Sequence, residues 1–158
     1  MAMRLILLFV LSHLIIAPTL AGTISGPVEV IDAATLRVGG KIVRLSGIAA
    51  PGPDDQCTLR GMNFACGRVA TTALMDLTAG AEVSCQTHGP SGVSGVILAT
   101  CAASGYDLSE GMIYTGWARP DQRATARYHE VEKSARNRRR GLWRGEFPKA
   151  VNNAVVSR

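Results

Sequence analysis

The sequence predicts one small α+β domain in which a closed or partly closed β-barrel carries helices. Short segments of alternating apolar and polar residues dominate the first half of the chain and indicate half-buried strands. Segments with apolar residues at helical spacing are inserted among the strands and follow them, as expected when helices pack against one barrel. The chain has 158 residues, which is enough for one hydrophobic core but leaves little for a second.

The first 21 residues predict a secretory signal peptide. Arg4 gives a positive start, an apolar run covers residues 5–16, and small residues lead to a predicted cleavage near Ala21. As a helix this run would measure about 18 Å, which is short for a hydrocarbon core of about 30 Å. We therefore expect a periplasmic or secreted domain over residues 22–158 with no stable membrane span. The alternative is that the segment is retained as an anchor.

Alternating side chains predict five strand segments. Gly39 and Gly40 join the second and third of these as a tight hairpin, and an uncharged loop over residues 88–94 joins the last two. The predicted strands cover residues 26–33, 35–38, 41–48, 82–87 and 95–101.

Apolar residues at helical spacing predict three helices, over residues 66–78, 107–114 and 122–140. The last is expected to end at Gly141, because glycine after a basic final turn is a common helix terminus. Its apolar stripe and the tryptophans that flank it in sequence are expected to pack in the core rather than to stack on bases. The stripe consists of Tyr128, Val131 and Ala135, and the tryptophans are Trp117 and Trp143.

Four cysteines, Cys57, Cys66, Cys85 and Cys101, all follow the predicted signal peptide. An even number in an oxidising compartment favours disulfides over zinc, and the spacing lacks the close pairs typical of zinc ligands. Three pairings are possible. We favour Cys57–Cys66 and Cys85–Cys101, because the first pair brackets one loop and the second lies on two neighbouring predicted strands.

Positive charge is concentrated at the end of the chain, where residues 119–158 hold 11 basic and four acidic residues. A cationic surface can bind phosphates, so nucleic acid or another polyanion is a predicted partner, with an unidentified protein as the other possibility. The same charges could instead complement the negative end of the last helix. The candidate binding residues there are Arg136, Arg138, Arg139 and Arg140.

Residues 30–52 read VIDAATLRVGGKIVRLSGIAAPG and resemble the opening hairpin of the thermonuclease (staphylococcal nuclease-like) family. Members of that family usually read V-I-D-G-D-T on one strand and R-L-x-G-I-D-A-P-E leaving another. The resemblance implies an oligonucleotide-binding (OB) type barrel of five strands with three helices. It continues in family order at Gln56-Cys57, Cys66-Gly67-Arg68, Gly116-Trp117-Ala118 and Arg140-Gly141-Leu142-Trp143.

The resemblance also implies a catalytic chemistry. In the family, calcium lies between carboxylates and the scissile phosphate, a glutamate activates water, and two arginines hold the phosphate. Calcium needs several oxygen ligands, a base needs a titratable acceptor, and arginine offers paired donors to phosphoryl oxygens.

Most of the acids expected from the family pattern are missing from this chain. Asp32 keeps the first acid of the D-G-D-T stretch, whereas the second falls on Ala34. In the other motif Ala49 replaces the metal-binding aspartate and Gly52 replaces the glutamate. The sequence therefore predicts the loss of both the metal ligands and the base, and no cofactor.

Of the two phosphate-binding arginines, Arg44 matches the first, whereas Val96 stands where the second would be in the D-x-Y-G-R-x-x-A pattern. Arg44 is thus predicted as a remnant phosphate contact. The alternative is a structural role in which it pairs with Asp32 or caps carbonyl groups.

Other side chains could compensate for the missing ones. The alternative is a displaced calcium site formed by Asp54 and Asp55 together with Asp32, although loop carboxylates make a weak cage. His88 and His129 are isolated in sequence and are expected to be surface or capping residues.

Three functions follow from these observations. The favoured one is an exported, catalytically inactive nuclease-like domain that binds nucleic acid, another polyanion or a partner. The second is a calcium-dependent nuclease of DNA or RNA that uses a rearranged site. The third is a structural or protein-binding module, for which neither cleavage nor salt-sensitive binding of nucleic acid is expected.

Overall fold

The computed structural model describes residues 22–89, 94–149 and 151. The predicted signal peptide, the tip of the 88–94 loop and the end of the chain lie outside the described residues. No helix in the described part is long and apolar enough to cross a membrane.

The strands are short, and all but one of their pairings among the described residues are antiparallel. In chain order they are β1 (Thr23–Gly26), β2 (Val28–Asp32), β3 (Thr35–Val38), β4 (Lys41–Leu45), β5 (Ile48–Ala49), β6 (Cys57–Leu59), β7 (Met62–Phe64), β8 (Val83–Thr87), β9 (Ile97–Ala103), β10 (Tyr106–Asp107) and β11 (Arg119–Pro120).

The main sheet has seven strands in the order β1-β8-β9-β4-β3-β2, with β10 paired to β9. The pairing of β4 with β9 is parallel. Its outermost strands, β1 and β2, are joined by Pro27 alone, and Gly39 N donates to Pro27 O at 3.1 Å. The sheet therefore curls back on itself as a partly closed barrel.

The main sheet contains more and shorter strands than the five that were predicted. Pro27, which has no N–H to donate, separates β2 from β1, and β1 lies almost wholly before the strand predicted over residues 26–33. Gly47, at φ +80°, ends the strand predicted over residues 41–48 and leaves β5 as a separate piece. The predicted α+β class with an OB-type fold is confirmed.

Three helices were predicted, and the described residues form an α-helix at each of the three places: α1 (Cys66–Thr78), α2 (Leu108–Tyr114) and α3 (Ala126–Asn137). The bounds of α1 match the prediction. Asp107 precedes α2 because its carboxylate caps the helix, accepting from Glu110 N at 3.0 Å. Helix α3 begins at Ala126, four residues later than predicted, because Thr125 caps it, and it ends at Asn137, three residues earlier than predicted. A short 3-10 turn follows over Gly141–Arg144.

The main core fills the space between the barrel and the helices, and the apolar stripe predicted on α3 is part of the buried surface. A second, smaller core lies beside β5 and the 3-10 turn. It contains Ala49, Cys57, Cys66, Leu142, Phe147 and Val151, with Trp117 and Trp143 packed against it.

Both predicted disulfides are confirmed. Cys57–Cys66 ties β6 to the first residue of α1, and Cys85–Cys101 joins directly opposed residues of β8 and β9. Because disulfides persist in oxidising compartments, the pair is consistent with an exported protein.

Candidate functional site

Arg44 lies at the end of β4, in register with Thr35 on β3 and Leu98 on β9. Its exposed side chain points into a cleft of about 490 Å³. Within the described residues Arg44 forms no ion pair with Asp32. The cleft is lined by Arg44, Ile48, Ala49, Ala50, Gly52, Asp55, Asp121, Gln122, Arg123 and Val151.

One wall of the cleft is the loop from Gly52 to Asp55. Gly52 N donates to Asp55 Oδ2 at 2.9 Å, and Asp55 N donates back to Gly52 O at 3.0 Å. Gly67 N donates to Asp55 O at 3.2 Å, which fixes the loop on the first turn of α1. A Cβ at Gly67 would overlap the Gly52 carbonyl oxygen, so this approach requires glycine.

The sequence-predicted site residues fall into two groups. Ala49 and Gly52 share the cleft with Arg44. By contrast, Ala34 is buried in the main core, and Val96 stands just before β9, so neither lines the cleft. Asp32 is also outside the lining and closes a local turn, where its Oδ1 accepts from Ala34 N at 2.8 Å.

These residues do not fit a calcium ion as the family chemistry would require. Alanine at positions 34 and 49 offers no side-chain oxygen, and Asp55 already accepts a backbone N–H. Across the part of the chain that the structure describes, no three His, Cys, Asp or Glu side chains form a group able to hold a metal. Asp32, Asp54 and Asp55 therefore do not make the displaced calcium cage considered from the sequence.

The opposite wall comes from a segment that the sequence analysis did not select. Strand β11 pairs antiparallel with β5, so Pro120 lies opposite Ile48, and Asp121 N then donates to Gly47 O at 3.1 Å. Asp121 Oδ1 accepts from Arg123 N at 2.7 Å and closes a tight turn. In the sequence, the only local sign of this wall is the run of turn residues at 121–123, Asp-Gln-Arg, after a proline. The strand pairing that brings this run to the cleft is long-range.

Tyr128, on α3, packs against Gly47 and is bonded to Asp107, the residue before α2. Its hydroxyl donates to Asp107 Oδ2 at 2.6 Å, and a Cβ at Gly47 would lie 2.8 Å from its ring. Burial, followed by the hydrogen bond to Asp107, raises the pKa of Tyr128 well above the usual range for tyrosine. The phenol therefore stays protonated and keeps donating over the whole neutral range.

Of the four arginines predicted as a binding cluster at the end of α3, two lie over aromatic rings. The Arg136 guanidinium lies 4.5 Å from the Trp143 ring centroid. Arg140 lies 3.7 Å from the Tyr114 ring centroid and donates to the Tyr114 hydroxyl at 3.0 Å. Arg138 and Arg139 are exposed where the helix ends, and Arg139 has a φ of 50°.

The two histidines lie away from the cleft. His88 is exposed and its Nε2 lies 2.8 Å from Thr100 Oγ1, while His129 is exposed on α3. Both positions agree with the surface roles expected from the sequence.

A curled β-sheet with three helices and an arginine-bearing cleft beyond the end of β4 defines a nuclease-like domain of the OB type. Residues 42–145, more than half of the chain, match the family described as Staphylococcal nuclease homologue, and the chain belongs to that family. The match includes Arg44 and both walls of the cleft. A search among curated proteins found no match.

Proposed function

We propose that this protein is a catalytically inactive member of the family that binds phosphate-bearing ligands, nucleic acid above all, in the cleft. The observation that carries the proposal is the side-chain content of the cleft. Arg44 is exposed and free to bind an anion, while Ala49 and Gly52 stand where the family pattern expects a metal ligand and a base. Such a cleft can hold a phosphate but cannot activate water by the family mechanism.

Loss of several members of one catalytic unit removes nearly all of its rate enhancement, because the members act together. The remaining acids do not replace them. Asp55 holds the Gly52 loop and Asp121 holds the turn before Arg123, so each has a structural hydrogen bond. Cleavage by this protein is therefore expected to be close to background.

The direct test incubates the purified, disulfide-bonded protein with single-stranded DNA and RNA, once with calcium and once with a chelator. We expect no cleavage in either arm and binding that weakens as salt rises, with a slope of about −0.7 per neutralised phosphate on a log–log plot. Chelator-sensitive cleavage would overturn the proposal in favour of a rearranged calcium nuclease. Absence of both cleavage and binding would favour a purely structural or protein-binding module.

A reconstruction tests the same proposal from the opposite direction. The quadruple variant Ala34→Asp, Ala49→Asp, Gly52→Glu and Val96→Arg restores the family pattern. A Cβ at Gly52 would meet only the Asp55 carboxylate, at 3.8 Å, so the backbone leaves room for a side chain to start there. Recovered calcium-dependent cleavage would show that the barrel still holds the family geometry at these four positions.

The matched control is the triple variant that keeps Gly52 and therefore lacks the base. It should cleave at least about a hundredfold more slowly than the quadruple variant, the usual contribution of a positioned base. Because positions 34 and 49 are buried, circular dichroism must first show that both variants fold. Folded variants with equal, background-level cleavage would contradict the assignment of these positions as the missing site.

We also propose that the domain is exported after cleavage near Ala21. The support is the N-terminal pattern together with the two disulfides. Mass spectrometry of the protein recovered from its native host should give a mature chain that begins near Gly22. An intact N-terminus in the membrane fraction would show that the segment is an anchor instead.

A further inference from the structure

We infer that Arg123 provides a second cationic side chain in the cleft, so that Arg44 and Arg123 together form a binding site for one phosphoryl group. This inference rests on the proposed function and names the site for its ligand. It differs from the family pattern, in which the second arginine lies at the position that Val96 occupies here.

The backbone brings the two arginines together. Segment 119–121 runs antiparallel to residues 47–49, through the β11–β5 pairing and the hydrogen bond from Asp121 N to Gly47 O. Gly47 is three residues beyond Arg44, and Arg123 is two residues beyond Asp121. The two side chains therefore start from neighbouring stretches of chain and line one cleft.

The turn that carries Arg123 is held in place before any ligand arrives. Asp121 Oδ1 accepts from Arg123 N, and Ala124 N donates to Asp121 O at 3.1 Å. The Cα of Ala124 would lie 3.5 Å from a Cβ at Gly47, so the turn lies directly against the end of β4. A site whose backbone is already ordered loses less entropy when it binds.

Both guanidinium groups are available for a ligand. Arg44 and Arg123 are exposed, and within residues 22–89, 94–149 and 151 neither forms an ion pair. Two other arginines beside α3 do have ion-pair partners: Arg119 pairs with Glu132, and Arg127 pairs with Glu110. The cleft thus combines two uncommitted guanidinium groups in a volume of about 490 Å³.

The chemistry of the lining favours a tetrahedral oxyanion. Two guanidinium groups can each give paired N–H donors to different oxygens of one phosphoryl group. A carboxylate has only two oxygens and cannot accept all of these hydrogen bonds as fully. Asp55 and Asp121 also line the cleft, and each already accepts a backbone N–H. Their charge limits the affinity for free anions, so binding is expected to be moderate.

The test follows the arginine side chains directly. Nitrogen-labelled protein is titrated with inorganic phosphate, and the Nε–Hε signals of Arg44 and Arg123 are recorded by NMR. We expect both signals to move along one binding curve. Arg123→Ala should weaken phosphate binding about tenfold, the size expected for one charge-assisted pair of hydrogen bonds. The phosphate affinity of Arg123→Lys should lie between those of wild type and Arg123→Ala, because lysine keeps the charge but not the paired donors.

Lys41→Ala is the matched control, since it removes one exposed positive charge from the far end of β4. It should change phosphate affinity by less than about twofold, the effect of a screened, distant charge. Titration with acetate should give weaker binding than phosphate. Equal effects of Lys41→Ala and Arg123→Ala, or equal affinity for acetate, would overturn the inference.

The outcomes also separate this inference from the proposed function. If Arg44→Ala abolishes phosphate binding while Arg123→Ala leaves it unchanged, the two-arginine site is wrong and the proposed function stands. If wild-type protein binds neither phosphate nor a single-stranded oligonucleotide, the proposed function fails as well. If the oligonucleotide binds but Arg123→Ala has no effect, the contact lies elsewhere on the basic surface and the inference is overturned.

Discussion

The cleft and the end of α3 both carry arginines, but they use them differently. In the helix-end cluster, which we define as Arg136, Arg140, Tyr114 and Trp143, each guanidinium lies over an aromatic ring. In the cleft, Arg44 and Arg123 are exposed and form no ion pair within the described residues. The number of positive charges in a region is therefore an incomplete guide to its capacity to bind anions, because two of the four arginines predicted to bind there are packed against rings.

The largest effect that separates the two regions is expected from Trp143→Ala. The Trp143 ring contacts Phe147 edge to face at 4.7 Å between centroids and lies under Arg136. Its loss should lower the free energy of unfolding by about 2–3 kcal/mol, as for a partly buried aromatic side chain. Urea denaturation measures this, and phosphate affinity of the folded fraction should not change.

Trp143→Phe is the matched control for that substitution. The indole Nε1 is buried without a hydrogen-bond partner among the described residues, so phenylalanine gives up no bond. The loss should be about 1 kcal/mol, from ring size alone. A fall in phosphate affinity with Trp143→Ala would show that the two regions are coupled.

A smaller effect is expected from Tyr128, which joins α3 to the cleft wall. Because its pKa is raised in the folded protein, the stability that Tyr128 contributes is present below the unfolded pKa of about 10 and is lost as pH rises above it. Tyr128→Phe should lower stability at pH 7 by about 1–2 kcal/mol, since Asp107 loses a donor.

The distinguishing measurement for Tyr128 is the pH dependence. Wild-type stability should fall between about pH 10 and 12, and Tyr128→Phe should remove part of that slope. Tyr106→Phe, at an exposed tyrosine, is the control and should leave the slope unchanged. Identical slopes in wild type and Tyr128→Phe would contradict the role given to the Asp107 bond.

Arg140→Ala tests the helix-end cluster itself. It removes the contact with the Tyr114 ring and the donors to Tyr114 O and its hydroxyl. We expect a loss of about 1 kcal/mol in thermal or urea unfolding, against less than about 0.5 kcal/mol for Arg44→Ala. The reverse order would mean that Arg44 is the structural residue and would remove the basis of the comparison.

The smallest effect concerns the charge of the cleft. Asp121→Asn keeps the Oδ1 acceptor for Arg123 N but removes a negative charge from the lining. Phosphate affinity should rise about two- to threefold, a few tenths of a kcal/mol of relieved repulsion. Asp121→Ala, which also opens the turn, should not show this gain. Lower affinity in Asp121→Asn would indicate that the carboxylate helps to bind the ligand.

Local signals in the sequence predicted much of the fold. Helix α1 begins at Cys66 and ends at Thr78 as its apolar spacing indicates, and neighbouring strands bring Cys85 and Cys101 together. The start of α3 could not be read locally. Residues 122–125 were predicted as helical, but the contact of Asp121 with Gly47 holds the start of this segment in a turn, and the helix begins only after the Thr125 cap.

The candidate site was also predicted only in part, because long-range contacts bring some of its residues together. Arg44 and Gly52 were found because their motif is continuous in sequence, whereas Asp121 and Arg123 reach the cleft only through the pairing of β11 with β5. Likewise, the basic run at the end of α3 suggested a binding surface. Its use against aromatic rings depends on Tyr114, which lies 26 residues before Arg140 in the chain.

The approach of Gly67 to Gly52 has a consequence for how this protein can change. One cleft wall is shaped by the close approach of Gly67 to the Gly52 carbonyl group and by the hydrogen bonds of Asp55. The side chains at positions 49 and 52 do not shape it. Position 52, where a Cβ would meet only the Asp55 carboxylate at 3.8 Å, can therefore accept other residues without a change in the shape of the wall. Mutations can therefore remove catalytic side chains while the cleft keeps its shape. The same tolerance makes the cleft a suitable scaffold on which to graft new catalytic groups.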